Sequence, residues 1–259
     1  MNRILYIPTF NKETEFDSFI KDQYPSFIKE TNPDIILVSG GDGSLLHAIQ
    51  DFSYMNVPFF GIANGTVNFL MNKIHGFYFE DFLKKLNSFD FLTASKIKIS
   101  IKRMRSNGTY YKIFETEAIN DIVLGNGIMD FHSFNIKENL TEFDLSGLGI
   151  LISTAVGSTA FNYNNNGPVL RLNSNEIIFS SLISEKEKQF QKILEPKNIS
   201  IKLKSSRQKC FAFIDGQSNV FELKRNDIVE INKGSNIELG FIDKNLFFEK
   251  RDKLIKEGK

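Results

Sequence analysis

Residues 36–49, "ILVSGGDGSLLHAI", run from a continuous apolar stretch into three glycines around one aspartate, then into an apolar, helix-like run. A strand that is apolar at every position belongs in a parallel sheet covered on both faces. The junction where such a strand gives way to a helix is where open α/β folds bind ligands. A turn needs one glycine, or two. Gly40, Gly41 and Gly43 around Asp42 exceed that need, so they predict a backbone that something outside the chain approaches closely. Glycines let amide N–H groups close on phosphate oxygens, and a helix opening near Ser44 adds its positive end. A carboxylate in the middle would repel phosphate unless a proton is handled there or a metal ion intervenes, which suits phosphoryl transfer. The competing reading is a glycine-rich turn capped by Asp42. The loop lacks the Lys-Ser/Thr ending of a P-loop and the spacing of the dinucleotide fingerprint.

On either side of this loop the first ninety or so residues alternate as an α/β unit. Ile4–Ile7 is a short apolar strand, and "EFDSFIKDQYPSFIKE" has helical spacing at Phe16, Phe19 and Ile20 until Pro25 breaks or kinks it. "VPFFGIANG" is a further strand ending in a turn, and "FEDFLKKLNSF" is an amphipathic helix. After about residue 95 the period changes to two. "KIKISIKRM" alternates strictly, 106–109 is a hairpin turn, and "YYKIFETEAINDIVL" continues as strand. Short β-rich runs follow to about residue 240, with a helical turn after Gly157. The last stretch, "NLFFEKRDKLIKEGK", is a short charged helix able to pack back on the first domain.

Bulk properties exclude several classes. The 259 residues suffice for one large domain or two ordinary ones. Lys+Arg of 32 against Asp+Glu of 31 leaves a net charge of +1, so no global field points to nucleic acid or an anionic membrane. The one cysteine, Cys210, lies in the apolar run "KCFAFI" and reads as a buried structural thiol. The N-terminus has no signal-peptide core and no stretch could span a bilayer, which predicts a soluble cytoplasmic protein.

Three further stretches break apolar strands with polar residues. In "GIANGTVNFLM" Phe69 follows the turn where an aromatic could lie on a planar ligand, or simply join the core. In "EAINDIVL" the pair Asn120-Asp121 could read a base edge or a ribose, or mark a bulge. "GILISTAVGSTAFNYNNNGPVL" ends a strand in small hydroxyl and glycine residues, as a wall that a nucleotide approaches closely.

Together these stretches resemble the NAD kinase family over nearly the whole chain: "GGDGSLL" (40–46), "NGTVNFL" (64–70), "AINDIVL" (118–124), "STAVGSTAFNYNNNGP" (153–168) and "IDGQ" (214–217). The first motif is shared with lipid kinases and phosphofructokinases; the ordered set is specific. The resemblance implies an enzyme that phosphorylates the 2′-hydroxyl of the adenosine ribose of NAD to give NADP. It implies ATP or polyphosphate as donor, Mg²⁺ or another divalent cation travelling with ATP, no protein metal ligands, and a homodimer or homotetramer. Asp42 then handles the 2′-hydroxyl with Gly43 beside it, and Gly40, Gly41 and Gly43 form the phosphate loop. Phe69 lies near adenine, Asn120 and Asp121 contact the dinucleotide, and Thr159, Ala160 and Phe161 line the adenine pocket with Asn162, Tyr163 and Asn164 adjoining. His47 and Gln217 hold motif positions that also touch substrate. The implied fold is an N-terminal α/β, Rossmann-like domain with a parallel sheet (1–95), then a C-terminal β-rich, sandwich-like NAD-binding domain (96–243). Helix 244–259 returns to the first domain.

Departures from the family pattern are Asn68 in place of Gly, Phe161 in place of Tyr, and Leu148 in place of an aspartate that approaches the nicotinamide end. Asp144, four residues earlier, is a candidate to reach that place by another loop path. The alternatives are a lipid or sugar kinase sharing only the glycine motif, and a non-catalytic NAD(P)-binding regulator.

Overall fold

The computed structural model describes residues 3–9, 13–64, 68–74, 78–126, 130–184, 190–216 and 219–257. The chain divides into two compact units, Met1–Ala94 with Ile237–Leu254, and Ser95–Asn236 with Ile255–Lys259.

Parallel strands form the base of the first unit. β1 (Ile4–Ile7), β2 (Ile35–Gly40) and β3 (Phe59–Ala63) lie side by side, with Ile4 opposite Ile35 and Ile36 opposite Phe59. The helices are α1 (Glu15–Gln23), α2 (Asp42–Phe52) and α3 (Phe79–Lys85), with a 3-10 turn from Pro25 to Lys29 where the proline was expected to interrupt. Ile35 and Leu37 pack in one core with Phe16 and Ile20 of α1 and Phe82 and Leu83 of α3. Ile36 and Val38, which alternation turns to the opposite face, are equally buried on the side of α2. Both faces are covered, and that is why the strand is apolar from Ile35 to Val38.

Two ends are tied by carboxylates. Thr14 caps α1 by accepting from the Asp17 N–H, while Asp17 accepts from the Thr14 N–H at 2.7 Å. Buried Asp17 also accepts from Tyr6 Oη at 2.6 Å and from the Thr9 N–H at 3.2 Å. Helix α2 starts at Asp42, two residues before the expected Ser44. Gly41 is its extended N-cap, and an acidic first residue suits the positive helix end.

In the second unit, β4 (Asp90–Met104, entering from the first unit) and β5 (Tyr110–Ala118) form a hairpin with Ile97 opposite Ala118. The stretch expected as one strand breaks at Asn120. There β6 (Asp121–Gly125) leaves β5 for other partners. β7 (His132–Glu138) pairs with the first half of β8 (Thr141–Ser153); β6 and β9 (Ile177–Ser184) flank the second half. The 3-10 turn Gly157–Thr159 and the short α4 (Phe161–Asn164) connect β8 to β9. β10 (Gln191–Leu194), β11 (Ile199–Ser206), β12 (Cys210–Ile214), β13 (Asn219–Leu223) and β14 (Ile228–Phe241) complete the strands. Pairing runs β14-β11-β7-β8-β6-β12-β13, and inward residues from Ile97 to Ile231 share one core. Cys210 belongs to it, and burial pushes its thiol up to about 12.

The chain then returns to the first unit. Leu239 and Gly240 of β14 run parallel to Phe59 and Phe60, and α5 (Lys244–Glu257) follows. Buried Asn72 fastens this return: its Nδ2 donates to Gly61 O and Gly240 O at 3.0 and 2.9 Å, and its Oδ1 accepts from the Ile242 N–H at 2.9 Å. Among the described residues no helix is long and apolar enough to cross a membrane.

Candidate active site

The glycine loop at the end of β2 has three glycines with three different reasons. Gly40 has φ +144°, and a Cβ there would strike the Ser44 side chain, so both its conformation and its contact exclude other residues. Its carbonyl accepts from the Asn64 N–H at 2.9 Å, while Asn64 Nδ2 donates to Ser39 Oγ at 3.0 Å, joining the ends of β2 and β3. Gly41 caps the helix. Gly43 is exposed, and among the described residues a Cβ built on it meets nothing within 4 Å. Among the described residues nothing requires this glycine, although glycine in a helix is disfavoured by about 1 kcal/mol relative to alanine. The open space is what a ligand would use.

Asp42 is held from the side. Its Oδ2 accepts from the Phe69 N–H at 2.9 Å and its Oδ1 from the Leu70 N–H at 3.0 Å. A carboxylate can take about four such bonds, so lone pairs are left for a further donor. Burial, the largest influence, raises its pKa; the two amide bonds and the charges of Arg251 and Lys250 oppose that rise. His47, one turn after Gly43, is exposed on the same helix face. Phe69 is half-buried and lines a small cavity of about 120 Å³ with Asn68, Met71, Lys73, Phe247 and Lys250. Residues 65–67 of the second motif lie outside the described residues.

The second unit has its own cluster. Asp215, in the turn after β12, accepts from the Ile119 N–H at 2.9 Å and from the Asn120 and Asp121 N–H groups at 2.7 and 3.0 Å. This grip makes the corner that ends β5, and it was not anticipated, because Asp215-Gly216 reads as a hairpin turn on its own. Thr154 holds the same corner from β8: its Oγ1 donates to Ile119 O at 2.6 Å and accepts from the Gly157 N–H at 3.2 Å. A Cβ on Gly157 would collide with Asn120 O, so the Gly-Ser-Thr turn can lie against the corner only with glycine there. Asn120 donates to Asp121 Oδ2 at 3.0 Å. Asp121 is 5% exposed, and burial, reinforced by the charge of Asp215, pushes its carboxyl up to about 7.

Beyond Gly157, Thr159 and Ala160 are half-buried, while Phe161, Tyr163 and Asn164 are exposed. Asn162 departs from the expectation for a ligand contact. It is fully buried, and its Nδ2 donates to Ser158 O and Pro168 O at 3.1 and 2.8 Å, which makes it a latch for the loop. Gln217 lies outside the described residues. Leu148 is half-buried on β8. Asp144 sits on the same unbroken strand, paired with Lys204 at 2.7 Å and Asn135 at 2.9 Å. Four residues of strand separate the two by about 13 Å, so no loop brings Asp144 to that position.

Comparison with known proteins places this geometry. The ATP-NAD kinase C-terminal domain family matches residues 95–242. The chain belongs to the NAD kinase family. An NAD kinase of Rickettsia bellii (strain OSU 85-389) is 29% identical over 263 residues, spanning 99% of this chain and 98% of its own. One of Rickettsia africae (strain ESF-5) is 30% identical over 229 residues, spanning 86% and 85%. Yeast NADH kinase complexed with NADH shares the fold with a TM-score of 0.77 at 18% identity, covering 98% of this chain and 87% of that one. An NAD kinase from Archaeoglobus fulgidus in complex with ATP gives 0.72 at 16% identity, covering 98% and 97%.

Within this family member the residues expected at the site gather as two clusters, Gly40 to His47 with Phe69 in one unit, and Asn120, Asp121 and 159–164 in the other. Arg251, on α5, was missed. A basic residue in the run "EKRDK" carries no sign that it is buried.

Two consequences can be measured. Gly43→Ala is expected to gain up to about 1 kcal/mol of stability while turnover falls roughly tenfold or more; a stable variant with normal turnover means the space is unused. Asp121 binds its proton more tightly folded than unfolded, so between the ordinary carboxylate range and about 7 the native state holds more protons and stability falls as pH rises. Asp121→Asn should remove that slope from urea titrations at pH 4, 6 and 8, leaving the variant the more stable protein at pH 8.

Proposed function

We infer that the protein is an NAD kinase transferring the terminal phosphoryl group of ATP to the 2′-hydroxyl of the adenosine ribose of NAD. The observation that carries this is Asp42. A carboxylate is fixed by two amides at the first turn of α2, next to a glycine with open space in front of it. A sugar hydroxyl is a far weaker acid than a carboxyl group, even one raised by burial, so Asp42 does not deprotonate it outright. In a loose transition state it need not. Asp42 orients the hydroxyl and receives its proton late, as the bond to phosphorus forms. Exposed first-turn amides and the helix end draw the donor phosphates.

The second unit is assigned to NAD. Thr159, Ala160 and Phe161 with Tyr163 and Asn164 supply the adenine wall, and Asn120 with Asp121 hydrogen-bonds the dinucleotide. Protonated near neutrality, Asp121 can donate as well as accept. Among the described residues no group of three or more His, Cys, Asp or Glu side chains could hold a metal ion. Mg²⁺ would enter with the donor, held chiefly by its phosphate oxygens and water. The family match over residues 95–242 lies outside the glycine motif, which argues against a lipid or sugar kinase sharing that motif alone. A regulator that only bound dinucleotide would have no use for the held carboxylate. We further propose a cytoplasmic homodimer or homotetramer, for which sedimentation of the purified protein is the test of assembly.

A coupled assay for NADP with Mg²⁺ and either ATP or polyphosphate tests the activity and identifies the donor; dinucleotide binding without turnover would sink the kinase reading. Asp42→Asn should keep NAD affinity within a few-fold while kcat drops by roughly two to four orders of magnitude. Parallel loss of binding and turnover would make Asp42 an anchor instead. Leu148 offers only apolar contact where the family resemblance implies a carboxylate. Leu148→Asp should therefore raise the preference for NAD, with its cationic ring, over NADH by on the order of tenfold; kcat/KM values for the two substrates in an unchanged ratio would remove Leu148 from the nicotinamide end.

A further inference from the structure

Arg251 heads the fully buried side chains in volume, with none of its surface exposed. A lone ion is heavily penalised by leaving water, so a buried arginine needs a counter-charge. Its place is set by α5. Its guanidinium lies 5.5 Å from the ring centroid of Phe247, and that ring lies 4.1 Å from Phe241 at the end of β14. Lys244, at the start of the helix, pairs with Asp90 at 3.0 Å. Leu246, Phe247 and Lys250 line one cavity with Asn68 and Phe69. The helix face is therefore fixed against the segment whose Phe69 and Leu70 amides Asp42 grips.

The titratable groups around Asp42 can be compared. Lys250 on α5, Lys73 and Asp243 at the cavity, and His47 further along α2 are all exposed, and water screens them. Arg251 is not screened. Its charge is the largest Coulomb influence lowering the Asp42 pKa, and Asp42 is in turn the charge that opposes the desolvation of Arg251. Burial brings the guanidinium down to about 10, so it stays charged at neutral pH.

We propose that Arg251 is a positioning residue for phosphoryl transfer: it is the buried counter-charge of Asp42, and α5 carries it there to keep that carboxylate an anion and to seat the 68–73 segment that fastens it. This rests on the reading of Asp42 as the proton acceptor. Asp42 works as the anion, so activity falls as pH drops through its pKa. Loss of Arg251 raises that pKa and moves the acid limb to higher pH.

The test is kcat/KM for NAD from pH 5 to 9 in full-length Arg251→Met and Arg251→Lys. Arg251→Met should shift the acid limb up by about one pH unit, so that its deficit is roughly tenfold larger below the limb than at pH 9; Arg251→Lys should restore the limb. A loss equal at every pH, or none, overturns the proposal. A thermal cycle with Asp42→Asn reads the same coupling without turnover. If the pair is real, Arg251→Met should lower Tm at least twice as far in the native background as in Asp42→Asn, where no carboxylate is left uncompensated. A native-background variant too unstable to assay, but rescued by Asp42→Asn, would support the pairing in the same way. Equal loss in both backgrounds would reduce Arg251 to a helix anchor. Because this arm needs no NADP formation, it separates failure of the pairing from failure of the kinase reading.

Discussion

A carboxylate withdrawn from water has to find donors, and backbone amides with no ladder partner are in the same position. In this protein the two needs are met together. Asp42 takes the amides of Phe69 and Leu70, Asp215 those of Ile119, Asn120 and Asp121, and Asp17 those of Thr9 and Thr14. Each acceptor is an aspartate, whose short side chain loses little freedom on ordering. Each sits at a turn or within the first turn of a helix. Bonds to an ionised acceptor are stronger than neutral ones, so irregular segments gain fixed positions that ladders alone would not give them. The site residues stand on those segments.

Glycine works in the opposite direction at the same places. At Gly40 and Gly157 the absent side chain lets one part of the protein approach another, Ser44 in one case and the Asn120 carbonyl in the other. At Gly43 the absent side chain leaves space that none of the described residues fills. Only the second kind points outward to a ligand. The loop that raised the question of close approach therefore contains both answers, one internal and one external.

Much of the fold was readable because its causes are local. Continuous apolar runs marked β2 and β3, strict alternation marked β4, and Pro25 ended α1 where its missing N–H predicts. The polar pair Asn120-Asp121 was visible as an interruption, but not as a corner, since the corner is made by Asp215 some 94 to 96 residues later. Likewise α2 begins at Asp42 because that carboxylate is held from Phe69 and Leu70, a contact with no trace in the local pattern. In the sequence Asn162 stood level with Asn164; only the folded loop, with Ser158 O and Pro168 O both accepting from its amide, separates it from exposed Asn164. Arg251 was illegible for the same reason, because burial of a charge is a property of its surroundings.

Asp42 and Asp121, one in each unit, show how surroundings set like groups apart. Burial raises both, and what differs is what stands against it. Around Asp42 are two amide donors and the charges of Arg251 and Lys250, all favouring the anion. Beside Asp121 is another carboxylate, Asp215, which adds to the effect of burial. The rise at Asp42 is thereby opposed, while Asp121 is pushed up to about 7. Environments that push like groups apart are how one protein obtains separate acid and base characters from the same side chain. Asp215 then has two effects from one position: its amide bonds make the corner that presents Asn120 and Asp121, and its charge keeps the Asp121 proton in place. Exchanging it for a neutral residue would loosen the corner and release that proton together.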